Sequence, residues 1–156
     1  MLRRARVLAF RAVGKMPRWM RRFLVHSVAP SFTVGAMCMI TRADGARLLV
    51  RHSYRQGWGV PGGLLKRGEG AADGALRECQ EEVGLAIVLE HPPTVVVDAG
   101  ARRVDVIFRA RPADDASTEV GACSAELLEA RWFMPDEMPP LQHETATALG
   151  LVARLP

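Results

Sequence analysis

Apolar and polar positions along this chain fall mostly into strand-length runs, interrupted in the middle and at the end by stretches of helical character. Ser31 to Thr41 (SFTVGAMCMIT) is almost continuously apolar and predicts a buried strand. Asp44-Gly45 predicts a turn, with Arg47 to Arg51 (RLLVR) as the hairpin partner of that strand. Ala71 to Val83 contains no proline, is dominated by good helix formers and is followed by Gly84, so it predicts a helix ended by a glycine just past its C-terminus. Ala86 to Asp98 is rich in Val, Ile and Leu but holds Pro92-Pro93, which predicts two strand pieces. Gly100 marks a turn before a strand from Arg103 to Ala110 (RVDVIFRA). Pro112 to Ser124 reads as a polar loop, Glu129 to Phe133 as a strand and Leu141 to Leu155 as a terminal helix. Strands with one central and one terminal helix predict an α/β layered domain.

The central helix carries an unusual charge pattern. At 100° per residue Glu78, Glu81 and Glu82 share one face, while Ala75, Leu76, Cys79 and Val83 form an adjoining apolar face. A solvated helix face usually mixes signs. Like charges at i, i+4 cost roughly 0.2–0.5 kcal/mol per pair and sit badly near the negative C-terminal end of a helix. A divalent cation on that face reverses the balance, and Mg²⁺ takes hard oxygen ligands of this kind. Just before the helix, Trp58-Gly59-Val60-Pro61-Gly62-Gly63 is rich in breakers, and its glycines permit close backbone approach to a ligand. Taken alone, that run would be an ordinary tight turn.

Loop and helix together, GLLKRGEGAADGALRECQEEVGL from Gly63 to Leu85, fit the template G-x5-E-x7-R-E-U-x-E-E-x-G-U, with U apolar, at every fixed position. Seven fixed residues match by chance at roughly 10⁻⁸ to 10⁻⁹ per starting point. The chain thus resembles the Nudix hydrolases, whose signature box this is. The resemblance implies an α/β/α sandwich with a mixed sheet between helices. It also implies Mg²⁺-dependent hydrolysis, with Mn²⁺ as a substitute, of a phosphoanhydride bond in a nucleoside diphosphate linked to another group. Glu78 and Glu82 then look like direct metal ligands, Glu81 like a direct or water-mediated one, and the Gly62 carbonyl like the backbone ligand before the box. Arg77 and Glu69 resemble the pair that ties loop to helix, and Gly63 and Gly84 are the box's structural glycines. The carboxylate that activates the attacking water varies across the family; Glu78, Glu81 and Glu126 are the candidates here. Glu126 opens a stretch, Glu126 to Phe133, that resembles the acidic loop before the family's late strand, although it also reads as a surface acid. Gly70 stands where a helix-capping Ser or Thr often sits, at a cost of a few tenths of a kcal/mol. Cys79 fills an apolar position of the box.

Composition limits the rest. With 156 residues, 49% of them hydrophobic, the chain can bury one sizeable core. Its three cysteines, Cys38, Cys79 and Cys123, are odd in number and widely spaced, which fits neither a disulfide framework nor a metal knuckle and points to the cytoplasm. The net charge of +4 is unevenly placed: residues 1–30 hold eight basic side chains and no acid, leaving thirteen basic against seventeen acidic residues, net −4, in residues 31–156. A basic extension, 1–30, followed by a Nudix-like domain, 31–156, is therefore expected. Apolar runs in the extension are too short and too often broken for a secretion signal or a membrane span. Pro17 to Val28 predicts a short amphipathic helix, with Trp19, Met20, Phe23 and Leu24 opposite Arg18, Arg21 and Arg22. Packing on the domain or on a second subunit, as in a homodimer, is the simpler role for it; weak membrane-surface contact is the other. Nucleic acid is disfavoured because the remainder is acidic.

The substrate is expected to be a small nucleotide. Arg51, His52, Arg55 and Lys66 lie near the metal loop in sequence and could bind phosphate, against ordinary surface charge, which is the favoured reading for His52; His143 reads as a capping or surface residue. Family markers are missing: Gly100 stands where ADP-ribose hydrolases often carry proline, Tyr54 is the one tyrosine so the dinucleoside polyphosphate marker is absent, and the coenzyme A motif is not met. An ADP-ribose or nucleotide-sugar substrate is favoured because Arg47 to Gly63 resembles members grouped that way. The alternatives are oxidised or ordinary nucleoside triphosphates, or a binding module without catalysis; the full set of box acids argues against the last.

Overall fold

A computed structural model describes residues 13–114 and 117–152. Residues 1–12 of the expected extension, part of the Pro112 to Ser124 loop and the end of the expected terminal helix lie outside the described residues. Two compact units are distinguished, Met1–Phe32 and Thr33–Pro156. In the first, α1 spans Arg18–Val28, begins after the extended residue Pro17 and contains no buried residue.

The second unit contains β1 (Thr33–Ile40), β2 (Arg47–His52), β3 (Gly62–Leu64), α2 (Ala71–Val83), β4 (Ile87–Asp98), β5 (Arg103–Pro112), β6 (Leu127–Phe133) and α3 (His143–Val152). A mixed four-stranded sheet runs in the order β3-β1-β5-β4. β1 pairs parallel with β5 from Thr33↔Arg103 to Ile40↔Ala110, and antiparallel with β3 at Gly35↔Leu64 and Met37↔Gly62.

The expected hairpin is only partly formed. Its turn closes, with the Arg42 amide donating to Ala46 O at 2.8 Å and an isolated bridge at Thr41↔Arg47. β2 then leaves β1 and pairs with β6 in a separate two-stranded sheet. Both edges of β1 are already taken by β3 and β5, and β2 buries Leu48, Leu49 and Val50 completely. The expected break at Pro92-Pro93 is also absent: β4 runs through it, absorbing the prolines as a register shift between Glu90 and Thr94. This is tolerated because β4 is an edge strand, where a missing N–H need not break an interior ladder. Gly62–Leu64, read from sequence as loop, pairs as a short strand.

Alternation along β1 divides the core. Ala36, Cys38 and Ile40 pack with Ala75, Cys79 and Val83 of α2, whereas Met37 and Met39 pack on the other side with Ile107 and with Ala148 and Leu149 of α3. The result is a sheet between helices, the α/β/α sandwich expected. Leu76, placed on the apolar face of α2 by the helical period, is instead 39% exposed, and Glu82 is buried in its place at 7%. The helix is rotated so that a carboxylate, not Leu76, faces the interior.

Candidate active site

Two short elements on one side of the sheet hold the site. β3 and the loop after it bring the Gly62-Gly63 backbone against α2, and Gly84 ends α2 in the left-handed conformation at φ 68°. That backbone suits glycine, and it lets the chain turn directly into Leu85 and the core.

Arg77 organises the carboxylates. Its Nε and Nη2 donate to both oxygens of Glu69, at 2.7 and 2.9 Å, and Nη1 donates to Glu78 Oε1 at 2.7 Å and to Glu81 Oε2 at 3.1 Å. Nη2 also reaches the Leu64 carbonyl at 3.3 Å, so one side chain joins the loop to three acids. A planar five-donor fork can do this where an ammonium cannot. The Arg77 fork holds the Glu69 carboxyl down at about 2, with the Lys66 amide at 2.8 Å contributing, and Glu69 in turn pushes the guanidinium further up. For Glu81 partial burial pulls upward, but the hydrogen bonds from Arg77 and Lys66 outweigh it and its carboxyl is held low.

Glu82 faces the other way, inward. Its Oε2 accepts the Gly62 amide at 2.9 Å, and its Oε1 lies 3.4 Å from His52 Nε2. His52 is buried, and its Nδ1 has no hydrogen-bond partner. Beyond it the Tyr54 ring stands 5.4 Å away, and the Tyr54 hydroxyl donates to Glu126 Oε2 at 3.2 Å. Partial burial and the Glu126 carboxylate raise the Tyr54 phenol above its ordinary range. Glu126 is thereby connected to the box acids through Glu82, His52 and Tyr54.

The glycines make room. A Cβ on Gly63 would stand 2.5 Å from the Glu78 carboxyl carbon and Oε1. One on Gly62, at φ 152°, would collide with the backbone of Ala36 and Met37. The donor chemistry fits a hard divalent cation: three carboxylates within five residues of one helix, beside a bare glycine backbone. Among the described residues, however, no three acids, histidines or cysteines already converge on one point. Glu78 and Glu81 are turned onto Arg77, and Glu82 onto Gly62 and His52.

The candidate phosphate ligands are dispersed. Lys66 joins the box, its Nζ 3.3 Å from Glu81 Oε1. Arg51 pairs with Glu129 at 3.3 Å and lies over the Trp58 ring. Arg55 lies over the Tyr54 ring and reaches Gln142 Oε1 at 3.5 Å. Three further residues hold this region. His52, for which the sequence favours a surface position, is buried against Glu82. Buried Gln142 packs on Gly59, and the buried Thr145 hydroxyl accepts the Val60 amide at 3.3 Å, so the start of α3 fixes the loop before the box. Only the burial of His52, in the run VRH after an apolar strand, had any sequence signal.

An α/β/α sandwich in which a glycine loop and an acidic helix are locked together by one arginine is the architecture of a Nudix domain. The NUDIX domain model matches residues 31–154. A MutT NUDIX hydrolase from Burkholderia pseudomallei is 30% identical over 77% of this chain and 97% of its own, with a TM-score of 0.62. A NUDIX hydrolase from Nitrosomonas europaea, 24% identical, covers 76% of this chain and 68% of its own with a TM-score of 0.67, a likeness of fold. The NAD-capped RNA hydrolase NudC of Stutzerimonas stutzeri (strain A1501) is 29% identical over 126 residues, 79% of this chain. The chain spans only 44% of the length of that relative. The chain belongs to the Nudix hydrolase family.

Proposed function

We propose that this chain hydrolyses a phosphoanhydride bond in a nucleoside diphosphate-linked small molecule, using Mg²⁺, with Mn²⁺ as a substitute. The observation that carries the reading is the grouping of Glu69, Glu78 and Glu81 around Arg77, with Glu82 anchored on the Gly62 amide of the same loop. The residues that would hold the metal are Glu78, Glu81 and Glu82 with the Gly62 carbonyl. When bound, the metal neutralises charge on the pyrophosphate oxygens and makes hydroxide available near neutral pH.

The chain's own residues do the rest. Arg77 and Glu69 fix the loop relative to the helix, so the Gly62-Gly63 backbone and the acids keep one spacing. Gly63 leaves room for the Glu78 carboxylate. Glu78, Glu81 and Glu126 are the acids offered to the attacking water, and the proton is taken at a carboxylate oxygen of one of them. Glu81 and Glu126 are the more exposed of the three and meet water directly. Lys66, beside Glu81, supplies a cation for substrate phosphate; Arg51 and Arg55, engaged elsewhere, are secondary candidates.

An ADP-ribose or nucleotide-sugar substrate remains the proposed class. NAD, named in the NudC relative, is itself a nucleoside diphosphate joined to a second nucleoside, which supports the class without selecting a member. The test is a substrate panel of ADP-ribose, NAD, nucleotide sugars, dinucleoside polyphosphates and ordinary and oxidised nucleoside triphosphates, with Mg²⁺ and with Glu82→Gln as control. Turnover by the parent lost in the variant supports both reaction and site. No turnover of any member above the control would withdraw the hydrolase in favour of a binding module.

A further inference from the structure

The feature that hydrolysis leaves unused is α1. At 100° per residue its side chains divide into two arcs. Trp19, Phe23, Ser27, Met20, Leu24 and Val28 cover about half the circumference, and Arg21, Val25, Arg18, Arg22 and His26 cover most of the other half. None of these residues is buried; Trp19 is 71% exposed and Phe23 72%. A helix with this exposed apolar face is an unstable arrangement in water unless something covers it. What covers it must also accept positive charge, because α1 has no acid and residues 1–30 as a whole carry eight basic side chains and none of opposite sign.

We propose that α1 docks on an anionic lipid surface, lying in the interface with Trp19, Phe23 and Leu24 inserted and Arg18, Arg21 and Arg22 at the headgroups. Three observations carry it. Arg21 borders the apolar arc beside Val28, and Arg18 and Arg22 lie on the opposite side of the helix, from which their long side chains extend to the headgroups while the helix axis stays in the interface. Trp and Phe are the large apolar side chains that such helices insert. Arg3, Arg4, Arg6, Arg11 and Lys15 add the second signal that a single short helix needs for stable binding. Among the described residues no helix is long and apolar enough to cross a membrane, so the contact is peripheral. The inference is independent of the reaction proposed above.

Sedimentation of the full chain with vesicles of phosphatidylcholine, with and without phosphatidylserine, tests it. The parent should pellet with the mixed vesicles only, and less as salt rises. Arg18→Gln/Arg21→Gln/Arg22→Gln should weaken binding about a hundredfold, at roughly fivefold per basic residue near an anionic surface. Trp19→Ser/Phe23→Ser should weaken it at least about tenfold with the arginines intact. Unchanged thermal melting of the domain shows that both variants remain folded. The proposal is overturned if the parent ignores mixed vesicles, if it binds them and neither variant differs, or if it binds an oligonucleotide in their place. It is equally overturned if size exclusion shows a dimer that Trp19→Ser/Phe23→Ser dissociates and the parent does not pellet, since a second copy is then the occupant.

Discussion

His52 Nε2 and Glu82 Oε1 stand 3.4 Å apart, both side chains more than nine-tenths buried, on elements thirty residues apart in the chain. With the Gly62 amide on the other oxygen, the Glu82 carboxylate is held from two sides. Groups that orient a metal-binding side chain typically contribute 10–100-fold to metal affinity or activity. His52→Gln should therefore raise the Mg²⁺ concentration for half-maximal activity about tenfold to a hundredfold. A metal titration that superimposes on the parent's would mean that Gly62 alone orients Glu82.

Glu82→Gln keeps the shape and removes the charge. Its loss should exceed that of its neighbour, lowering turnover by about a hundredfold or more at saturating metal. Because the amide oxygen of Gln can still accept the Gly62 amide and a neutral group costs less to bury than a carboxylate, the melting temperature should not fall much. A steady-state assay beside a thermal melt separates the two effects, and activity within threefold of the parent's would remove Glu82 from the site.

Gly62 and Gly63 should fail differently. Gly62→Ala drives a Cβ into the Ala36 and Met37 backbone at a positive φ, so it should destabilise the fold, by about 1–3 kcal/mol for the strained conformation alone. Gly63→Ala meets the Glu78 carboxyl, which can move aside. Its main effect should be on turnover, with a smaller loss of stability. Denaturant unfolding and kinetics on both variants check the contrast, and a Gly63→Ala protein of normal activity would show that Glu78 need not keep its place.

Glu69 sets a pH dependence. Its carboxyl is held at about 2 by Arg77 and the Lys66 amide, below the ordinary 4.5. A depressed folded-state value means that the charged form stabilises the fold. That contribution is fully present above about 4.5 and is lost as pH falls towards about 2. The stability difference between the parent and Glu69→Gln should accordingly be constant near neutral pH and shrink across that acid window. Melting temperatures of the two measured across it, if they stayed parallel, would show that the ion pair does not couple to folding.

The sequence by itself determined the local chemistry. Ala71 to Val83 is a helix at the ends the pattern predicts, because helix propensity, absence of proline and a C-terminal glycine are properties of consecutive residues. For the same reason the helical period predicts Glu78, Glu81 and Glu82 on one face, while the tie between Arg77 and Glu69 came from the resemblance of the box. Pairing was not legible. β2 left its hairpin for β6, β4 ran through two prolines, and Gly62–Leu64 joined the sheet, because each choice depends on which strand edges are free and what each face buries. Tertiary structure alone turned Glu82 inward and Leu76 outward, and brought His52, Tyr54 and Glu126 into one chain of contacts. A one-dimensional pattern sets which side chains can share a face; only packing against distant segments decides what that face meets.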